Sequence, residues 1–356
     1  MSHLLHPRRL RIATGQGGNL PGVNRPTGIA YAEAADGMKL PVVDVTHPAF
    51  AIIASEREIE AAQARYLAEM RVRARLPGPV RRWLVGFLVR RSTLLRAAIP
   101  GQGDHLRGMA TYLMKLGPQN LGPAFTRFDR KLAAGYAPLA LRVRLQEVSA
   151  LLADGLTRAL AARAVERVEL VNLGGGPAMD SLNALIRIEK ARPELLAGRH
   201  IGINVFDRDE IGPSFGARAL EALRAPGGAL EGVDAHFERI AHDWNRVPTL
   251  RDALARIAEG SPVMVGSSEG ALFDYGSDEA IIGNLVALRE TTPDDFRMVG
   301  DAIRDSELVR LSGRETGFQF RALGREGFEA LARQAGWEVE AAVDEPACLA
   351  FRLVKG

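Results

Sequence analysis

The chain has 356 residues, 47% of them apolar and 25% charged, with a formal net charge of +3. That length supports a full hydrophobic core plus a smaller second unit, and the near-neutral balance points neither to a nucleic-acid binder nor to an enzyme of acidic substrates. The one cysteine, Cys348, excludes an internal disulfide and a multi-cysteine metal site, and its place in the apolar run ACLAFRLV predicts a buried structural thiol.

The N-terminal stretch MSHLLHPRRLRIATG has basic residues but no apolar segment of the kind a secretory signal needs. No apolar run anywhere reaches the roughly 18 residues of a membrane span, so a cytoplasmic protein is expected. Residues 1–48 are rich in Gly, Pro and Asn, as in GQGGNLPGVNRPTG, and read as an irregular arm with a short strand at LPVVDVT. At Ser55 the pattern turns helical. Ser55 and Glu58 form a capping box, and the helix runs to the break at Pro77-Gly78-Pro79. In VRRWLVGFLVRR, residues Val80, Trp83, Leu84, Phe87 and Leu88 fall at helical spacing. This stripe predicts a core-facing helix with solvated arginines, in preference to a helix lying on a membrane surface.

Further helices are expected at 103–116, 125–134 and 138–162, which makes residues 49–160 an all-helical cap or substrate domain. Gly117-Pro118 and Gly122-Pro123 bracket Gln119 and Asn120. Amides on a braced turn suit ligand recognition, although an ordinary helix–helix connection has the same composition. Tyr136, with Phe125 and Phe128, either lines the same pocket or packs.

Residues 161–356 alternate between two periods. RVELVNL, HIGINVFD, AHFERIAHD, SPVMVGSS and DDFRMVGDAI read as strands, each of the first four followed by a helical pattern. Strands alternating with helices predict a parallel sheet covered on both faces. The helix REGFEALARQAGW and the runs EVEAAVDEP and ACLAFRLVKG then predict a terminal hairpin. The whole is an α/β, Rossmann-like, mostly parallel seven-stranded sheet with an antiparallel terminal hairpin, preceded by the helical cap.

Ligands of such sheets bind beyond the carboxyl ends of the strands. Gly174, Gly175 and Gly176 stand at that end of the first strand, where a bare backbone lets a ligand approach closely. Asp207 closes the second strand and is placed for ribose hydroxyls. Together they describe a nucleoside-containing cofactor, either a dinucleotide or S-adenosylmethionine. The dinucleotide fingerprint fails at its last position, which is Met179, and no Tyr-x-x-x-Lys pair is present for hydride chemistry.

The chain resembles the class I S-adenosylmethionine-dependent methyltransferases over about residues 150–356. The motif VNLGGGPAMD matches the family's glycine-rich turn, Asp207 its ribose acid, AHDW with Asp243 and Trp244 its adenine-binding turn, and VGSSEGALFDYGSDE its fourth-strand loop. The resemblance implies S-adenosyl-L-methionine as cofactor. It implies contacts from Asn172, Gly174, Gly175, Gly176, Asp180, Asp207, Asp243, Trp244 and Ser267. Two positions depart from the family. Asn172 stands where an acid is usual, and Asp207 lies about thirty residues past the glycines where about twenty is usual. Asp180 also fits a plain helix-dipole role in the first helical turn.

Methyl transfer mainly needs the acceptor aligned with the sulfonium, and a base only if the acceptor must lose a proton. Glu269 and Tyr275, in the fourth-strand loop, are the candidate catalytic residues. Gln119, Asn120 and Tyr136 are the candidate acceptor contacts, and no metal is expected. The expected partner is a small-molecule acceptor, with no nucleic acid and no membrane, and a homodimer is the candidate assembly. Two other outcomes stay open. One is cleavage of another sulfonium bond with release of methylthioadenosine. The other is a catalytically silent relative that only binds the nucleoside.

Overall fold

The structure, a computed structural model, describes residues 28–98, 108–346 and 348–356. Its first elements are two short antiparallel strands, β1 (Tyr31–Glu33) and β2 (Lys39–Pro41). The expected strand LPVVDVT is therefore shorter than its apolar run, and its partner lies in the arm read as irregular. Val42 and Val43 are buried beyond the strand end, which accounts for the apolar pattern. Six helices follow: α1 (Glu56–Ala74), α2 (Gly78–Arg91), α3 (Thr93–Ala98), α4 (Gly108–Lys115), α5 (Arg127–Ala133) and α6 (Tyr136–Ala162). The start of α1 carries the expected capping box, with Glu58 accepting from the Ser55 backbone N–H at 2.7 Å. Of the expected helix 103–116, residues 103–107 and the arm residues 1–27 lie outside the described residues.

The alternating half folds as β3 (Arg167–Leu173), α7 (Met179–Ala191), β4 (His200–Phe206), α8 (Ile211–Arg224), β5 (Ala235–Ile240), α9 (Val247–Ile257) and β6 (Val263–Ser268). It continues with α10 (Leu272–Tyr275), α11 (Asp278–Thr291), β7 (Arg297–Ile303), α12 (Glu307–Thr316), α13 (Gly324–Gln334), β8 (Trp337–Asp344) and β9 (Cys348–Lys355). The strand order is β5-β4-β3-β6-β7-β9-β8. The first five strands are parallel, and β9 runs antiparallel to both β7 and β8. From β3 the chain steps outward to β4 and β5, then returns to β6 on the other side of β3. The order therefore reverses between β3 and β6, and at such a reversal the connections diverge and leave a crevice.

The central strands are buried on both faces, because helices cover each side. Leu145, Val148, Leu152 and Leu156 of α6 share one core with Val168, Leu170, Val265 and Val299 of the sheet. On the opposite face, Leu250 and Leu254 of α9 and Leu285 and Leu288 of α11 pack with Val171, Met264 and Phe351. The long helix α6 is thus a layer of the sheet. Cys348 is buried in β9 as expected. Among the described residues no helix is long and apolar enough to cross a membrane.

One expectation is overturned. The stripe of α2 does not face the core: Trp83 is 69% exposed, Val80 47% and Phe87 39%. Helical spacing sorts residues onto a face, and whether another layer covers that face is decided by chain connectivity. The Pro77–Pro79 break and the short α3 carry α2 away from the layers that α6 and the sheet build. Three helices, α3, α10 and α12, were not anticipated; α10 and α12 follow the ends of β6 and β7.

Because α6 and the sheet share one core, they should unfold together. Leu156 is fully buried, so Leu156→Ala should cost about 2–5 kcal/mol of stability. Denaturant melts followed by circular dichroism and by tryptophan fluorescence should remain one coincident transition. An α6 that melts ahead of the sheet would contradict the shared core.

Candidate functional site

The turn after β3 is held by its own backbone demands. Gly174 has φ +70° and Gly176 φ +55°, in the left-handed region that side chains disfavour. A Cβ on Gly174 would come within 2.8 Å of the Ala271 methyl and 3.0 Å of the Trp244 ring. One on Gly176 would meet Gly108 Cα at 2.9 Å, and one on Gly175 would overlap Asn172 Oδ1 at 2.1 Å. All three glycines are therefore required by packing, whatever the turn binds. The Gly174 N–H donates to Phe206 O at 2.8 Å and ties the turn to the end of β4.

Asn172 is the pin beneath this turn. Fully buried, it accepts from the Gly175 N–H at 2.9 Å and donates to Asp180 Oδ1 at 2.8 Å and Ser267 Oγ at 3.0 Å. An acid at this position could accept from Gly175 but could not donate to Asp180, so Asn suits a site whose acid stands on α7. Asp180 itself is 1% exposed and its Oδ2 has no hydrogen-bond partner. Burial and the nearby Glu269 carboxylate push it up to about 6.

Asp207, half-buried at the end of β4, accepts from the Gly176 N–H at 2.9 Å and the Asp209 N–H at 2.8 Å. Burial raises its carboxyl above the usual range, and these two donors oppose the rise. Beyond β5, Asn245 donates to Asp243 Oδ1 through its backbone at 3.0 Å and its side chain at 2.9 Å, and these bonds hold Asp243 below the usual range. Asn284 of α11 donates to Trp244 O at 2.7 Å and lies 3.3 Å from His242 Nε2, which fixes this turn against the glycines.

Past β6 the charges become dense. Glu269 is buried and paired with Lys115 of α4 and with Arg144 Nε of α6 at 2.8 Å. Arg144 also reaches Asp274 at 3.2 Å and Asp301 at 3.5 Å, and Asp301 accepts from the Gly270 N–H at 2.8 Å. Burial alone would raise Glu269, but Lys115 and Arg144 outweigh it and hold the carboxyl below the usual range. Asp274 has no such surplus of cations. Burial and Asp301 push it well above the usual range.

Asn172, the three glycines, Asp180, Asp207, Trp244, Ser267 and Glu269 thus come together at one sheet edge, with Asp243 beside them. The remaining candidates stand apart. Gln119 and Asn120 each donate to Ala49 O at 2.9 Å, which fastens the N-terminal segment to the Gly-Pro turn. Tyr136 packs against Tyr66, with ring centroids 5.8 Å apart. Tyr275, half-buried at the end of α10, packs against Phe320 at 5.7 Å. Sequence reasoning missed Lys115, Arg144 and the α4 face. The only available signal was a lysine inside the apolar run TYLMKLG of a chain with few lysines and many arginines.

A small cavity of about 30 Å³ lies between α4 and the glycine turn, lined by Thr111, Tyr112, Lys115, Gly174, Gly175 and Glu269 among others. That is room for a water or two.

No protein-family model matches the chain, and neither does any curated protein. Among solved structures, the chain is similar to a candidate exported protein from Bordetella parapertussis at 15% identity and a TM-score of 0.52, over 83% of this chain and 96% of that one. This likeness is one of fold. Looser overlaps include the mitomycin 7-O-methyltransferase MmcR, at 17% identity and a TM-score of 0.38 over 85% of this chain and 74% of that one. Another is the Burkholderia thailandensis 1,6-didemethyltoxoflavin-N1-methyltransferase with S-adenosylhomocysteine bound, at 14% identity and 0.38 over 60% and 78%.

Two substitutions probe the buried charges. Arg144→Met would strand Asp274 and Asp301 and leave Glu269 with Lys115 alone, and should cost about 3–5 kcal/mol at neutral pH. Asp180 binds its proton more tightly folded than unfolded, so its contribution to stability is full below its ordinary value of 3.8 and is lost as pH rises to about 6. Asp180→Asn should flatten the stability–pH curve across that window and gain stability above it. An unchanged curve in pH-dependent denaturant melts would show that Asp180 stays ionised throughout.

Proposed function

We propose that the protein binds S-adenosylmethionine at the carboxyl edge of β3 and β4 and transfers its methyl group to a small-molecule acceptor. One observation carries this reading: the Gly174–Gly176 turn, Asp207 and the Asp243–Trp244 turn converge on one edge, where the strand order reverses. The residues suit the cofactor's three parts. Asp207 can exchange its bond from the Gly176 N–H for ribose hydroxyls. Trp244 offers a flat face beside the turn for a base. The unpartnered Asp180 Oδ2 and the ionised Glu269 place negative charge where an α-ammonium and a sulfonium are positive. When bound, the cofactor supplies the electrophilic methyl.

The chain's own part is then binding, orientation and exclusion of water. Glu269, held ionised by Lys115 and Arg144, is a poor proton acceptor and acts as a fixed negative charge. Tyr275 keeps a role only toward the acceptor, since it does not line the cavity. The enclosed position beneath Thr111 and Tyr112 of α4 favours a small acceptor over a polymer. The close Gly108–Gly176 approach means that α4 must move for any ligand of that size to enter, whether or not chemistry follows.

Calorimetry with S-adenosylmethionine tests the reading. Two charge-assisted bonds of about 1.5–3 kcal/mol each rest on Asp207, so Asp207→Ala should weaken binding by about tenfold or more. Unchanged affinity removes Asp207 from the site. Incubation with S-adenosylmethionine and cell extract should yield S-adenosylhomocysteine. Methylthioadenosine would mean another sulfonium bond is cut, and binding without any product would favour the silent relative. Tyr275→Phe should leave cofactor affinity unchanged.

A further inference from the structure

Among the described residues nothing covers the face of α2, and the helix has a strong charge bias. From Met70 to Gly103 the sequence has eight arginines and no acidic residue. Two of them, Arg71 and Arg73, pair with Glu307 and Glu315 of α12. The other six, from Arg75 to Arg96, lie on and around α2 in a stretch with no acid of its own.

The exposed apolar residues form a row along the same helix. The Trp83 and Phe87 rings stack with centroids 5.7 Å apart and planes 17° apart, and the Arg91 guanidinium sits 4.3 Å over the Phe87 ring. Val80 stands one turn before Trp83, so positions 80, 83, 87 and 91 run along one face. Exposing 69% of a tryptophan beside a half-exposed phenylalanine costs hydrophobic free energy unless something covers them.

We propose that α2 docks on an anionic lipid surface. Its 14 residues extend about 21 Å, too short to cross a bilayer of about 30 Å, so the helix lies in the interface plane. Trp83 and Phe87 then enter the boundary between headgroups and acyl chains. Arg90 and Arg91 bury their stems against the rings and keep their charges among the lipid phosphates. This occupant answers both halves of the observation, the apolar row and the excess of arginine. A second copy of the chain answers only the first. A two-fold interface joins the same patch to itself and would bring arginines of both copies together. The spacing of the stripe predicts a core-facing helix and so no membrane contact; its exposure removes that ground.

The test is co-sedimentation of the full chain with phosphatidylcholine vesicles, with and without about one third phosphatidylserine. The expected result is binding to the anionic vesicles only, weakened by salt, with a blue shift of tryptophan emission. Trp83→Ser with Phe87→Ser should reduce the bound fraction about tenfold, and Arg90→Glu with Arg91→Glu should do the same. Circular dichroism should show both variants folded, since these side chains are exposed. Equal binding to neutral vesicles, or none to either, overturns the proposal. So does a concentration-dependent dimer in sedimentation equilibrium that the Trp83 and Phe87 substitutions abolish, which would assign the face to a second copy.

Discussion

Arg144 takes its charge into a place that solvent scarcely reaches, and three carboxyls, two from the stretch after β6 and one from β7, converge on it. Burying a guanidinium costs several kcal/mol, which is offset only when its partners are held in good geometry. That requirement organises the neighbourhood. Glu269 and Asp274 come from the loop after β6, Asp301 from β7, and Lys115 from α4 meets the same Glu269. One side chain on α6 therefore fixes the loop after β6, the end of β7 and, through Glu269, the helix that covers the glycine turn. The glycine turn is set by a second pin, Asn172, whose amide donates toward Asp180 and Ser267 and accepts from Gly175. The two pins meet where Asp180 lies close enough to Glu269 for the charges to interact.

This arrangement leaves a surplus of acid at the carboxyl edge of the sheet. A cation brought there would be stabilised. The same edge is also crowded. Gly108 of α4 and Gly212 of α8 both approach Gly176 at backbone distance, and a Cβ on Gly108 or on Gly176 would come within 2.9 Å of the other's Cα. Charge complementarity thus invites a positive ligand while backbone contact shuts it out.

The two halves of the molecule differ in how firmly they are covered. Around the sheet, each helix buries an apolar face against strands that are themselves apolar on both sides. At the other end, α2 is held mainly through α3 and leaves its rings in solvent. The contrast follows from connectivity: α6 is long enough to lie across the sheet, whereas α2 is bounded by a Pro-Gly-Pro break and ends before it can reach that layer.

Residue order alone determined a great deal. The alternation of period-two and helical stretches after residue 161, the glycine turn, the acid closing β4 and the terminal hairpin are all local patterns, and they predict a parallel sheet with an antiparallel end and a ligand edge. The N-terminal half was legible as helices but not as a layer, because periodicity says which residues share a face and not what meets that face. So Trp83 was assigned to a core it never enters, and Gln119 and Asn120 to a ligand where they bind Ala49 O. Lys115, Arg144 and Asp301 are scattered over the chain without any spacing to link them. Only the packing of α4 and α6 onto the sheet brings them together, since a buried ion cluster is a property of which charges lose their water together, and that is decided in three dimensions.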